Sequence, residues 1–287
     1  MSARPILIAQ ISDLHIKRPG ELAYGRVDTA AALSRCVDAL NRFVPQPDLV
    51  VVSGDLVDVP SVSAYAHLKR LLAPLRLPFA VIPGNHDGRG MLRDVWPEQT
   101  ATVTTAAFNC VHSVGDLDAV LIDSSVPGLP HGELAAETLA WLDATLGAST
   151  TRPALLFLHH PPFATGIGHM DRQNLRNADD LAAILRKHQR ARLVAAGHVH
   201  RSTLTTFAGI AATICPAPNH AVALDLDGHL PSSFMVEPPA FHLHAWFAGG
   251  STKKDDGRWP SRSRATAWLG AGQIVAAMPA NVVSVER

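Results

Sequence analysis

Between residues 5 and 198 two hydrophobic periods alternate along the chain. Short runs rich in Val, Ile and Leu read as strands: "PILIAQIS" (5–12), "DLVVVSG" (48–54), "PFAVIPG" (78–84), "DAVLIDS" (118–124), "PALLFLHH" (153–160) and "ARLVAAGH" (191–198). Helix-like stretches lie over 27–43, 61–75, 133–146 and 177–188, the second with Ser61 at its N-cap. Strands and helices in this order predict an α/β chain with buried strands. From 202 to 247 the pattern changes to short strand-like pieces broken by Pro and Gly, which predicts antiparallel β-structure. Residues 249–264, "GGSTKKDDGRWPSRSR", read as a mobile loop, and no internal repeat is found.

Each of five strand-like runs ends in polar residues. Asp13 and His15 follow the first, Asp55 the second, and Asn85, His86 and Asp87 the third; His159 and His160 close one later run, His198 and His200 another. In open α/β sheets ligands bind beyond the carboxyl ends of the strands, so these groups would converge on one site. A lone His at a strand end is ordinarily structural, and Asn85 after Gly84 is ordinary turn chemistry. Five successive strand ends with the same character are not explained that way.

The residue types name the chemistry. Imidazole, carboxylate and one amide oxygen without thiolate suit a divalent Zn, Mn, Fe or Co ion rather than calcium. Seven donors exceed the needs of one ion and suit two ions sharing a carboxylate about 3.5–4 Å apart, as in two-metal hydrolases. Asp-x-His and His-x-His place alternate side chains on one side of an extended backbone, so each can deliver two groups to the same cluster.

Composition excludes several partners. With 287 residues, 47% of them apolar, and a mean hydropathy of +0.11, the chain can bury a sizeable core as one large domain or a domain plus an appendage. Lys+Arg and Asp+Glu are equal at 25 each, which leaves no electrostatic footprint for nucleic acid or an anionic membrane. No apolar stretch approaches the roughly 18 residues of a membrane span, and "MSARPILIAQISDLH" shows no cleavage-like site, so a cytoplasmic protein is expected. Cys36, Cys110 and Cys215 follow no ligand spacing and are expected as reduced core thiols.

The blocks "DLH" (13–15), "GDLVD" (54–58), "GNHD" (84–87), "HH" (159–160) and "GHVH" (197–200) resemble, in order and spacing, the signature of the calcineurin-like metallophosphoesterase superfamily. "HHPP", "IDSS" and the "HMD" at 169–171 look like its bacterial glycerophosphodiesterase and class III cyclic-nucleotide phosphodiesterase branch. The resemblance implies a two-sheet β-sandwich flanked by helices over 1–215 and a β-rich C-terminal extension over 216–287 that covers the site and assists homodimerisation. It implies one ion on Asp13, His15, Asp55 and His200 and another on Asp55, Asn85, His159 and His198, with Asp55 as the bridge. The implied reaction is hydrolysis of a small phosphodiester, a cyclic nucleotide such as cyclic AMP or a glycerophosphodiester, by a metal-activated hydroxide. His86 would face the phosphate or protonate the leaving group. Asp58 stands where another branch places a carboxylate that orients this histidine, although the Arg-Gly that follows there is missing here. His160 and Asp171 are candidates for supporting the ligands or the pocket, and Tyr24 and Arg26 for reaching substrate, with a surface role for Arg26 as the simpler expectation. A phosphomonoesterase, nucleotidase or phosphonate monoesterase would share this metal core. A non-catalytic scaffold would be expected to lose ligands, and every ligand position is filled.

Overall fold

A computed structural model describes residues 4–100, 106–228, 232–247, 266–269 and 273–279. In chain order the first elements are β1 (Ile6–Ile11), α1 (Thr29–Arg42), β2 (Leu49–Ser53), α2 (Val62–Leu72), β3 (Phe79–Ile82), α3 (Arg89–Val95) and α4 (Pro97–Thr100). Then come β4 (Cys110–Val114), β5 (Leu117–Ile122), α5 (Ala136–Gly147), β6 (Ala154–Leu158), α6 (Gly168–Asp171), α7 (Ala178–Lys187) and β7 (Ala191–Ala196). The chain continues through β8 (Thr203–Phe207), β9 (Ile210–Ile214), β10 (Ala221–Val222), β11 (Phe234–Met235), β12 (Ala240–Trp246), β13 (Thr266–Leu269) and β14 (Gln273–Pro279). The loop predicted over 249–264 lies outside the described residues.

Two six-stranded sheets form a sandwich, ordered β13-β14-β12-β1-β2-β3 and β4-β5-β6-β7-β9-β8. Within them β1, β2 and β3 run parallel, as do β5, β6, β7 and β9. The strands are apolar on both faces because both faces are covered. Val50 and Val52 of β2 point to the α1/α2 layer, whereas Leu49 and Val51 point between the sheets. Likewise Leu156 and Leu158 of β6 pack under the outer helices, and Leu155 and Phe157 fill the sandwich interior. The period of two divides each run between two cores.

Helix α1 buries Ala32, Leu33, Cys36, Val37 and Leu40, a stripe at helical spacing, and Asp28 caps it by accepting from the Ala31 amide. Ser61 caps α2 in the same way. Strand β4, "CVHSV", was not foreseen; it is an edge strand whose alternate residues face outward and whose composition is half polar. Helices α3, α4 and α6 are too short to show a period.

Strand β12 pairs antiparallel with β1, setting His242 opposite Gln10 and His244 opposite Ile8. The chain after residue 215 therefore completes the first sheet. Among the described residues no helix is long and apolar enough to cross a membrane.

Candidate metal centre

The polar groups sit where the parallel strands end. Beyond β1 and β2 the two chains run on side by side, with Asp13 N–H donating to Gly54 O at 3.0 Å and His15 N–H to Asp55 O at 2.9 Å. Asp13, His15, Asp55, His198 and His200 all have positive φ, between 45° and 74°. Among the described residues only Tyr24 and Ala208 share this property outside glycine. Each such residue is strained by about 1–2 kcal/mol, and the strain aims the side chain. Through the left-handed residues at 13 and 15 both polar groups enter the cleft floor while Leu14 between them is fully buried.

Among the described residues four overlapping groups result, each with its ligand atoms within 4.8 Å of one another: Asp13, His15 and His200; His15, Asp55 and His86; Asp13, Asp55 and His159; and His159, His160 and His198. Asp55 Oδ2 lies 3.6 Å from His15 Nε2 and 3.3 Å from His159 Nε2, between the first and last of these groups. Two donors on one ion at about 2.1 Å stand about 3.0–3.4 Å apart. The His15 Nε2 to His200 Nε2 distance is 3.2 Å, and His200 Nε2 is 3.4 Å from Asp13 Oδ1. Asn85 Oδ1 and His198 Nε2 are buried without a hydrogen-bond partner, which in a folded interior calls for a ligand. These residues fit divalent ions.

The ligands are held from behind. The Nδ1 of His159 faces Ser53 O at 2.9 Å, that of His200 faces His220 O at 3.1 Å, and that of His15 faces Asp58 Oδ1 at 3.5 Å, so each Nε2 points to the centre. Asn219 Nδ2 donates to the carbonyls of Asp13 and Leu14, both at 2.9 Å, and the His198 amide donates to Asp13 Oδ1. Asp87 takes no place among the ligands. It accepts from the amides of Leu56, Val57 and Gly84 and from the Tyr65 hydroxyl, and so ties the β2 and β3 loops together.

Burial pushes Asp13 up to about 6 against the pull of His159 and His15. It pushes Asp55 up as well, but His159, His86 and His15 together hold that carboxyl well below its usual range. Burial alone would lower His159, yet Asp55 and Asp13 raise it to about 9. The field that attracts that proton is the field that would attract a cation. His160, His198 and His200 are kept neutral by burial and by neighbouring imidazoles, with lone pairs free for coordination.

His86 lies at the cleft, its amide donating to Asp55 Oδ1 at 2.9 Å. Its Nδ1 is 2.7 Å from the main-chain carbonyl of Asp58. The Asp58 carboxylate faces elsewhere, to His15 Nδ1 at 3.5 Å and Lys17 Nζ at 2.6 Å. The missing Arg-Gly thus coincides with a different brace: the backbone of Asp58 holds His86, and its side chain holds His15. His160 is buried behind His198, its Nδ1 at 2.8 Å from Ser124 Oγ. Asp171 braces the loop before α6, accepting from Thr165 and the Gly166 amide.

Above this floor opens a cleft of about 820 Å³, lined by Tyr24, Arg26, His169, His220 and Phe234 as well as by His15, Asp55, Asn85, His198 and His200, with Asp13 and His159 buried beneath. Asn219 and His220 were missed by the strand-end search. They lie beyond β9, among the described residues the one parallel strand after 200, past two prolines that hid the pattern.

The sequence profile described as calcineurin-like phosphoesterase matches residues 6–202, about two thirds of the chain. The chain belongs to this family. A probable glycerophosphodiester phosphodiesterase of Arcobacter nitrofigilis is 38% identical over 242 residues, covering 84% of this chain and 89% of that protein. The 3',5'-cyclic adenosine monophosphate phosphodiesterase of Escherichia coli K12 is 32% identical over 197 residues, covering 68% of this chain and 70% of that one. A dimetal phosphatase structure from Danio rerio superposes with a TM-score of 0.63 at 17% identity, covering 85% of this chain and 96% of that one, and so shares the fold. The family match holds all seven candidate ligands and ends before Asn219, His220 and Phe234.

Proposed function

We propose that the chain is a two-metal phosphodiesterase that hydrolyses small phosphodiesters, a 3',5'-cyclic nucleotide or a glycerophosphodiester. The observation that carries this reading is Asp55 Oδ2 standing within 3.6 Å of His15 Nε2 and 3.3 Å of His159 Nε2, between two sets of buried donors. Asp13, His15, Asp55 and His200 would hold one ion, and Asp55, Asn85, His159 and His198 the other. The donor set suits Fe, Mn, Zn or Co. Bound there, two such ions lower the pKa of water toward neutrality and neutralise charge on the phosphoryl oxygens.

The chain's own residues supply position and proton transfer. Asp55 keeps both ligand sets in register, and Asn85, a neutral amide, binds less firmly than the imidazoles. With Nδ1 against the Asp58 carbonyl, His86 presents Nε2 to the cleft as donor to the departing alkoxide. Arg26 is the one Lys or Arg among the described residues that line the cleft. With so little cationic support, a diester monoanion is favoured over a monoester dianion, which a phosphomonoesterase or nucleotidase must bind.

Names of the similar proteins support the same reading. The test is purified, metal-loaded protein on bis- and mono-p-nitrophenyl phosphate and cyclic AMP, with bound metal counted. Turnover of the monoester alone, or of none of the three by protein holding two ions, would refute it. A homodimer is also proposed: β13, from the C-terminal segment, is the outermost strand of the first sheet and offers an edge for pairing. Sedimentation at several concentrations tests this. A cytoplasmic site of action accords with Cys36, Cys110 and Cys215 standing free and buried, and cell fractionation tests it.

A further inference from the structure

The rim of the cleft is built differently from its floor. Tyr24 stands in a tight turn closed by the Ala23–Val27 bridge, where Arg26 N–H donates to Ala23 O at 3.0 Å. Tyr24 has φ 53° and Gly25 has φ 66°. Glycine accepts that conformation freely, whereas a tyrosine is strained in it, and strain held at a cleft is a pointer to function. The turn lifts the ring out of the fold, leaving Tyr24 59% exposed although it lines the cleft.

One face of that ring is used. Phe234 of β11 stacks on it, with centroids 4.3 Å apart and planes 23° from parallel, and His220 meets both rings edge-on at 5.3 and 5.5 Å. The His220 ring in turn lies 4.6 Å from that of His200. An unbroken row of rings therefore leads from a candidate metal ligand to the cleft mouth, where the outer face of Tyr24 is open. Such a surface offers little to a glycerol arm, which hydrogen-bonds as well to water, but it matches a planar heteroaromatic ring, whose stacking is largely indifferent to ring identity. The volume, about 820 Å³, lies in the range of about 300–1,000 Å³ that takes a ligand with a sizeable non-phosphate arm.

We infer that Tyr24, backed by Phe234, is a stacking platform for a nucleobase, so that the diester handled by this cleft carries a nucleoside arm. This deepens the phosphodiesterase reading and rests on it. Arg26, exposed in the same turn, also lines the cleft.

The test compares Tyr24→Leu, Tyr24→Phe and Phe234→Leu with the parent protein, loaded with the same metal, on cyclic AMP and on glycerophosphoethanolamine. Tyr24→Leu is expected to raise KM for cyclic AMP about 5- to 100-fold more than KM for the glycerol diester, the scale on which stacking one base contributes. The effect should fall on KM rather than kcat. Tyr24→Phe, which keeps the ring, should restore the parent KM, and Phe234→Leu should reproduce part of the loss. Equal changes on the two substrates, an unchanged KM for cyclic AMP, or failure of Tyr24→Phe to restore it would overturn the platform. Should the parent turn over no diester, the phosphodiesterase reading falls instead. Calorimetry with 5'-AMP then decides the platform: weaker binding to Tyr24→Leu than to Tyr24→Phe supports it, and equal binding overturns it.

Discussion

Gly84→Ala tests whether the two loops that carry Asp55 and Asn85 are as closely fitted as they look. A methyl carbon at Gly84 would lie 2.2 Å from Asp55 Oδ1, 2.4 Å from the Asp55 amide nitrogen and 2.8 Å from His159 Nε2. The oxygen can turn aside, but the amide nitrogen cannot. Ordinary contact begins near 3.4 Å, so the β2 and β3 loops must part by about 1 Å. Asp55 would move with its loop, while His15, whose amide donates to Asp55 O, and His86, whose amide donates to Asp55 Oδ1, would be drawn off as well. Misplacement of about 1 Å in a positioned site lowers turnover on the order of 10²-fold. Overpacking of this kind destabilises by about 1–3 kcal/mol, so the variant should still fold. The assay is kcat on bis-p-nitrophenyl phosphate with bound metal measured by mass spectrometry. Gly90→Ala is the control: nothing lies within 4 Å of a methyl there, and alanine favours the helix by about 1 kcal/mol. Gly84→Ala with parental metal content and turnover within a few-fold of Gly90→Ala would refute the reasoning.

Four further outcomes are expected. Asp55→Ala should hold at most one ion per chain and lose nearly all turnover; two retained ions with near-parental rate would remove Asp55 from the bridge. Asn85→Ala loses only a neutral donor, so activity should return at high metal concentration, whereas inactivity with both ions bound would make Asn85 a group acting on substrate. His86→Ala keeps the amide that binds Asp55 and, at unchanged metal content, should lose about 10²–10⁴-fold on cyclic AMP but far less on bis-p-nitrophenyl phosphate; equal losses would show a role other than proton donation. Burial holds His242 down to about 3 and His244 well below its usual range, while in the unfolded chain both bind protons near pH ~6.5. Their contribution to stability is therefore full above that pH and falls as pH drops toward 3, by about 1.4 kcal/mol per pH unit for each residue. In metal-free His244→Gln the fall in unfolding free energy between pH 6 and 4, from urea titrations, should be shallower by about one proton, and an identical slope would contradict this.

The candidate ligands were legible because their chemistry is local. "DLH" and "GHVH" each place two donors within three residues, and the strand before each is apolar enough to be recognised alone. The helices with caps and buried stripes, α1 and α2, were legible for the same reason, differing from expectation only at their ends. Strand β4 was not, because an edge strand alternates weakly and carries His112 and Ser113. Asn219 and His220 were not, since what they do, holding Asp13 and orienting His200, joins residues about 20 to 200 apart in the chain. No local pattern records such a pairing.

Asp58 and Tyr24 show where the division falls. Their presence near the site followed from their place in the chain, since Asp58 comes three residues and Tyr24 nine residues after a donor at a strand end. What each does was decided by folding. The Asp58 carboxylate turns to Lys17 and His15, and its carbonyl to His86, because the loop direction sets which atom faces which neighbour. Tyr24 becomes half of a stacked pair only because the fold brings β11, some 210 residues later, against its turn. The sequence by itself determined the alternation of strand and helix, the two-faced burial of the strands and the set of donors at their ends, since each depends on residues within a few positions of one another. The tertiary structure alone decided how far each donor stands from Asp55, which atom orients each histidine and that Phe234 and His220 pack against Tyr24, because those relations are distances between segments remote in the chain.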